Sequence, residues 1–316
     1  MRVLVVGAGA TGGYYGARLA EAGRDVTFLV RPARAEKLRT DGLAVRSPLG
    51  DAHIPEPQTV TADALSAGKG GAFDLVLFSC KAYDLDGAIR DVAPAIGQAT
   101  SVLPILNGLR HLDALDARFG SERVLGGSCA IVATLGQAGE IRHMSEFCTL
   151  TFGERDGTRS ARVEAIDALM EGARFQPKLS ATILLEMWEK WVFLATLAGS
   201  TCLMRGSIGD IVGAPGGRDF VEGLYAECVA VASASGFEPR AKVAAGARTM
   251  LTQEGSPVTA SMLRDIEGGG RIEADHIVGD LIARGRDAAQ GAARPHLERA
   301  YTHLKTYERR RAREAA

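Results

Sequence analysis

The sequence predicts an α/β domain built on a doubly wound, mostly parallel sheet, followed by an all-helical domain. Three observations predict it. Over the first 180 or so residues, short β-rich runs alternate with helical stretches, and such alternation implies βαβ crossovers in one sheet. Continuous apolar runs such as RVLVV at Arg2–Val6 read as strands buried on both faces of a parallel sheet. Beyond about residue 180, helical stretches follow one another with almost no strand signal between them. At roughly 100–200 residues per domain, a chain of 316 residues suits two domains, placed at 1–180 and 181–316.

Taken in order, Arg2–Val6 is the first strand, and residues 14–22 form a helix closed by Gly23. DVTFLV at 25–30 is a second strand and DLVLFS at 74–79 a later one. SVLPIL at 101–106 is another, although Pro104 weakens it as a central strand. Residues 124–134, 140–143 and 148–153 read as further strands. The second half reads as helices at 183–203, 219–235, 242–252, 257–266, 272–285 and 296–311.

Composition removes several classes of function. Lys plus Arg (37) nearly balances Asp plus Glu (38), so the net charge of -1 draws the chain toward neither nucleic acid nor an anionic membrane. Four arginines at 309–311 and 313 read as the solvated end of a helix, where cations suit the dipole. Cys80, Cys129, Cys148, Cys202 and Cys228 are odd in number and contain no CxxC pair, as for reduced thiols in the cytoplasm. The histidines form no HExxH, so no metal site is expected. The apolar start is broken by glycine too early for a signal-peptide core. The longest uncharged apolar stretch, 14 residues between Lys190 and Arg205, is shorter than the roughly 20 needed to span a bilayer. The expectation is a cytoplasmic protein that acts on a small molecule. A homodimer is compatible with the helical half, though no feature demands one.

The strongest motif is Gly7-Ala8-Gly9-Ala10-Thr11-Gly12, a GxGxxG directly after the first strand and opening the first helix. In a dinucleotide-binding Rossmann domain the first glycine makes the tight turn, and the second lets a pyrophosphate approach the backbone. The third allows close helix–strand packing, and the free N–H groups of the helix start hold the phosphates. The end of the second strand discriminates between NAD and NADP. An NAD enzyme carries an acid there, whereas this chain has Arg31, followed by Arg34 and Lys37. A guanidinium pairs bidentately with a 2′-phosphate, so the expected cofactor is NADP(H).

Other candidates are weaker one by one. Lys81 and Asn107 follow strands at the sheet's carboxyl end, where ligands of open α/β sheets bind, yet a solvated lysine and an Asn-Gly turn read equally well. Lys190 lies between Trp188 and Trp191, with Leu194, Leu197, Ala198 and Thr201 on its helical face. Such a lysine is either a partly desolvated general acid or a snorkelling side chain. Three glycines at 268–270 should break the helix carrying Ser261, leaving a flexible loop at 267–271 and Glu273 in the first turn of the next helix. There the carboxylate suits the helix dipole or a ligand.

Together these residues resemble the ketopantoate reductase (2-dehydropantoate 2-reductase) family. The likeness runs nearly end to end through GAGATG, the arginine after strand two, CKAYD, LNG, EMWEKW, SMLRDI and RIEAD. It implies an N-terminal NADPH-binding domain, a helical C-terminal domain, and a substrate held in the cleft between them. It assigns Gly7, Gly9, Gly12 and Arg31 to the cofactor, with Ala10 and Thr11 in the same loop, and Lys81 and Asn107 near its reactive end. Asn107 then also touches substrate. Lys190 becomes the proton donor to the ketone oxygen, Glu273 the carboxylate for the substrate's hydroxyl end, and Ser261 a contact to its carboxylate. The resemblance departs one and two turns after the lysine, where the family carries Asn and this chain has Leu194 and Ala198. The implied reaction is reduction of a 2-oxo acid, ketopantoate first. A less polar 2-oxo acid or ketone stands second, and a non-catalytic NADP-binding sensor third.

Overall fold

The computed structural model describes residues 1–288 and 293–315. They divide into two compact units, Met1–Leu106 with His111–Ile183, and Asn107–Arg110 with Leu184–Ala316.

The first unit holds strands β1 (Arg2–Val6), β2 (Asp25–Leu29), β3 (Leu43–Arg46), β4 (Ala52–Ile54), β5 (Gln58–Val60), β6 (Leu75–Phe78) and β7 (Ser101–Pro104). Strands β8 (Gly126–Ala130), β9 (Ala133–Leu135), β10 (Ile141–His143), β11 (Thr149–Gly153) and β12 (Gln176–Leu179) follow. Between them run α1 (Ala10–Glu21), α2 (Pro32–Asp41), α3 (Ala62–Ser66), α4 (Leu85–Val92), α5 (Arg110–Phe119) and α6 (Ala161–Met170). The principal sheet has the order β5-β2-β1-β6-β7, and every pairing in it is parallel. This is the doubly wound sheet the alternation predicts. Its central strands are buried along their length because helices cover them, which is why they read as unbroken apolar runs. Pro104 closes β7, the last strand in that order, where a missing N–H costs little.

Two small mixed sheets, β4-β3-β10-β9 and β12-β11-β8, complete the unit. The single strand expected over 124–134 is two, β8 and β9, each pairing in a different sheet. The chain must turn between them at 131–132, and an apolar run carries no mark of that. The core gathers around α1: Tyr14, Tyr15, Ala17 and Leu19 pack on Val3, Val5 and Phe28 from the sheet side, and on Ile141 and Leu150 from the smaller sheets.

The second unit contains α7 (Ile183–Met204), α8 (Ile208–Gly213), α9 (Gly217–Ala234), α10 (Ala241–Leu251), α11 (Ser261–Glu267), α12 (Asp280–Ala288) and α13 (Pro295–Glu314). A π-helical turn at Asp275–Gly279 leads into α12. Helix α8 escaped the sequence reading because six residues are too few to show a period. Its signal was local: Ser207 and Asp210 make a reciprocal capping box. Helix α11 begins at Ser261 rather than at 257, since residues 257–259 form no regular structure and Ala260 is an extended N-cap.

Candidate active site

The glycine-rich turn is built from β1 outward. Gly7 takes φ +95, a left-handed conformation that β-branched or bulky residues avoid, and its N–H donates to Leu29 O at 3.0 Å. A Cβ on Gly12 would fall 2.6 Å from Gly7 O and 1.8 Å from Ser79 Oγ, so only hydrogen fits. Ser79 is a member of this turn that sequence reasoning missed. It follows β6, and its hydroxyl donates to Val6 O at 2.9 Å, pinning the end of β1. At Gly9 a Cβ would meet nothing within 4 Å, which leaves the backbone open to an approaching group. Helix α1 starts at Ala10, and the N–H groups of Ala10, Thr11 and Gly12 belong to a first turn that has no intrahelical acceptors for them. Open backbone at Gly9 beside those donors fits a dinucleotide pyrophosphate.

Around this turn the three basic residues after β2 differ sharply. Arg34 donates from Nη2 to Ala8 O at 3.1 Å and to Gly139 O at 3.3 Å, and burial pulls its pKa below the ordinary arginine value. Lys37 pairs with Asp41 at 2.7 Å on its own helix. Arg31 caps α2 and projects outward, its side chain 82% exposed, with Nη2 3.2 Å from Asp84 Oδ1. Of the two guanidinium groups, that of Arg31 faces solvent, while the partly exposed Lys37 is paired on its own helix. Lys81 is half-buried and begins the 3-10 turn Ala82–Asp84, whose Asp84 N–H donates to Lys81 O at 2.9 Å.

The remaining sequence candidates all fall in the second unit. Asn107 is among them, because Asn107–Arg110 pack with the helices and not with the sheet that precedes them. There Gly108 at φ +76 comes so close to the π-helical turn that a Cβ would be 2.9 Å from His276 O, an approach glycine permits. His276 in turn hydrogen-bonds the Asn107 backbone and feels the charge of Glu273, although burial dominates and lowers its pKa. Glu273 lies just before the helix rather than in its first turn, its carbonyl accepting from Ile277 N at 3.0 Å. The glycine segment before it is tied down: Tyr307 Oη donates to Gly270 O at 2.8 Å and Arg311 Nε to Gly269 O at 2.7 Å.

Lys190 sits half-buried in the middle of α7, and its neighbours fix the helix. Glu189, 6% exposed, accepts from Arg240 N at 2.9 Å and Nε at 2.8 Å. Trp191, 1% exposed, donates Nε1–H to Ile277 O at 2.8 Å, four residues beyond Glu273. Trp188 stacks on Phe237 at 5.5 Å. One bond thus joins the lysine's helix to the carboxylate's segment. A second joins it to Ser261: Thr201 Oγ1 accepts from Ala260 N at 3.3 Å, at the cap of α11, while donating to Leu197 O at 2.7 Å. Ser261 itself is exposed at the first position of α11. Thr201, fully buried, therefore spends its hydroxyl on the protein and replaces neither missing amide. Leu194 is half-buried and Ala198 buried on the face that follows Lys190.

Comparison with known proteins decides the family. Residues 3–157 match the ketopantoate reductase PanE/ApbA family and residues 182–308 match its C-terminal domain. The chain belongs to the ketopantoate reductase family. An uncharacterized oxidoreductase of Bacillus subtilis (strain 168), YkpB, is 38% identical over 98% of this chain and 99% of its own. A 2-dehydropantoate 2-reductase of Halobacterium salinarum is 30% identical over 91% and 93%. The crystal structure of 2-dehydropantoate 2-reductase from Geobacter metallireducens superposes with a TM-score of 0.86 at 29% identity, over 97% and 99%. As a ketopantoate reductase family member the chain is an oxidoreductase acting on a CH–OH group with a nicotinamide cofactor. That excludes the non-catalytic sensor. Among the described residues no helix is long and apolar enough to cross a membrane.

Proposed function

We propose that this protein reduces a 2-oxo acid to the 2-hydroxy acid using NADPH, with ketopantoate the first substrate to test. The observation that carries the reading is the pairing of two features. A solvent-facing guanidinium, Arg31, stands where an NAD enzyme has an acid, and a lysine lies on a helix locked by Glu189–Arg240 and Trp191–Ile277. Bound NADPH supplies the hydride. Gly7, Gly9, Ala10, Thr11 and Gly12 hold the pyrophosphate through backbone N–H groups, and Arg31 takes the 2′-phosphate. Lys81 and Asn107 serve the reactive end, Asn107 also facing substrate. The Lys190 ammonium donates a proton to the ketone oxygen as negative charge develops there, stabilising the alkoxide before neutralising it. Ser261 binds the substrate carboxylate and Glu273 the hydroxyl end.

A second reading is favoured by Leu194 and Ala198, which offer no donor where the family places amides. A site lacking donors gives up discrimination for a polar substrate and favours an apolar one. NADPH oxidation with ketopantoate and a panel of branched and aromatic 2-oxo acids separates the two. Turnover highest with ketopantoate supports the first reading. Turnover confined to less polar acids supports the second. No turnover across the panel removes the 2-oxo acid assignment itself.

A further inference from the structure

The strand order puts β1 between β2 and β6, so the glycine turn at the end of β1 is flanked by the chain leaving each neighbour. Arg31 lies two residues past the end of β2, and Asp84 ends the 3-10 turn that follows β6. Their side chains meet at 3.2 Å, and the ion pair therefore reaches across the end of β1 where the cofactor cradle opens. Arg34 and Lys37 are held elsewhere, by Ala8 and Gly139 and by Asp41, whereas Arg31 reaches Asp84.

We propose that Asp84 is a specificity-determining residue for the cofactor, a built-in competitor for Arg31 that moderates the preference for NADPH over NADH. The inference rests on the reading that Arg31 receives the 2′-phosphate. A phosphate monoester carries about -1.5 to -2 charges near neutral pH and pairs with a guanidinium more strongly than a carboxylate does. Exposed ion pairs are weak, so the phosphate displaces Asp84. It must still break the pair, and it then lies beside an uncompensated carboxylate. Both costs fall on NADPH and on its product NADP+. Neither falls on NADH, which has no phosphate at this position. Asp84→Asn removes the charge while keeping the shape, and the turn's own bond, from Asp84 N–H to Lys81 O, uses only backbone.

The test is direct binding of NADPH and NADH, followed by nicotinamide fluorescence, to the wild type, Asp84→Asn, Arg31→Gln and the double variant. Asp84→Asn should tighten NADPH about three- to tenfold, the range an exposed pair and one nearby like charge support. It should leave NADH within about twofold by the same argument, since NADH brings no phosphate to break the pair. In the Arg31→Gln background the gain should shrink or vanish, as coupled residues require. NADPH binding that is unchanged or weakened by Asp84→Asn, while Arg31→Gln weakens it, overturns the competitor role and leaves Arg31 in place. Weakening of both cofactors assigns Asp84 to the architecture of the turn instead. If Arg31→Gln itself leaves NADPH binding intact, the phosphate site lies elsewhere and the proposal falls with it.

Discussion

A general acid has to reach its acceptor carrying the proton it will give away, and then surrender it. Lysine does both when its helix holds still. For Lys190, the acid proposed above, the residues on either side do the holding, through Glu189 to Arg240 and Trp191 to Ile277. Lys190→Ala should lower kcat by about 10²–10⁴, the usual contribution of positioned proton transfer, with NADPH affinity nearly unchanged. Lys190→Arg keeps the charge but cannot release a proton near neutral pH, and should be nearly as slow. Stopped-flow turnover beside a cofactor titration checks both; a fast Lys190→Ala enzyme would remove the lysine from the chemistry. The residue types at this site were readable in the sequence because each motif is contiguous. What fixes their geometry was not: Glu189 finds its partner 51 residues away, and Trp191 its acceptor 86 residues away.

Among the elements, α7 organises the helical unit. It carries Lys190, and near its C-terminal end Thr201 holds the cap of α11, which presents Ser261. Thr201→Val keeps the shape and deletes the acceptor, leaving the Ala260 N–H buried without a partner. A loss of roughly 1–3 kcal/mol in stability is expected from that desolvated donor. KM for the oxo acid should rise more than kcat falls, with NADPH binding unaffected, while Thr201→Ser should restore most of both. Equal kinetics in Thr201→Val would show that α11 does not depend on this bond. Periodicity placed Thr201 on the lysine's face correctly, but it cannot distinguish a hydroxyl offered to a ligand from one given to a neighbouring loop. The same limit applies to the glycine segment before Glu273. Composition reads it as flexible, whereas Tyr307 and Arg311 of α13 hold its carbonyls.

At the scale of the whole molecule, three histidines, His143, His276 and His303, are pushed below their ordinary value of 6.5, in each case chiefly by burial. His143 also has both ring nitrogens engaged, Nδ1 with Ser47 at 2.8 Å and Nε2 with Ser145 at 3.0 Å. The folded state resists protons that the unfolded chain accepts, so the unfolded state binds more of them and stability rises with pH. This contribution is complete above about 6.5 and is lost as pH falls from there toward the depressed folded values. Paired carboxylates such as Glu154, held low by Arg162, act in a separate window below their own ordinary value of 4.5. Thermal unfolding should therefore begin at lower temperature at pH 5.5 than at pH 7.5. A flat melting temperature across that interval would contradict the burial argument.

The sequence by itself determined the two-part architecture and the glycine-rich turn, and it supplied the residues proposed to react, because these rest on local signals: strand periodicity, turn chemistry and contiguous motifs. It also determined that two amides are missing after Lys190. Only the tertiary structure decided which guanidinium after β2 stays turned to solvent, since Arg34 and Lys37 are occupied by groups that no spacing rule brings near them. It placed Asn107 with the helices and gave Thr201 to the α11 cap. It also set Asp84 against Arg31 across the end of β1. Each of these depends on strand order or helix packing, which join residues far apart in the chain and leave no local trace in it.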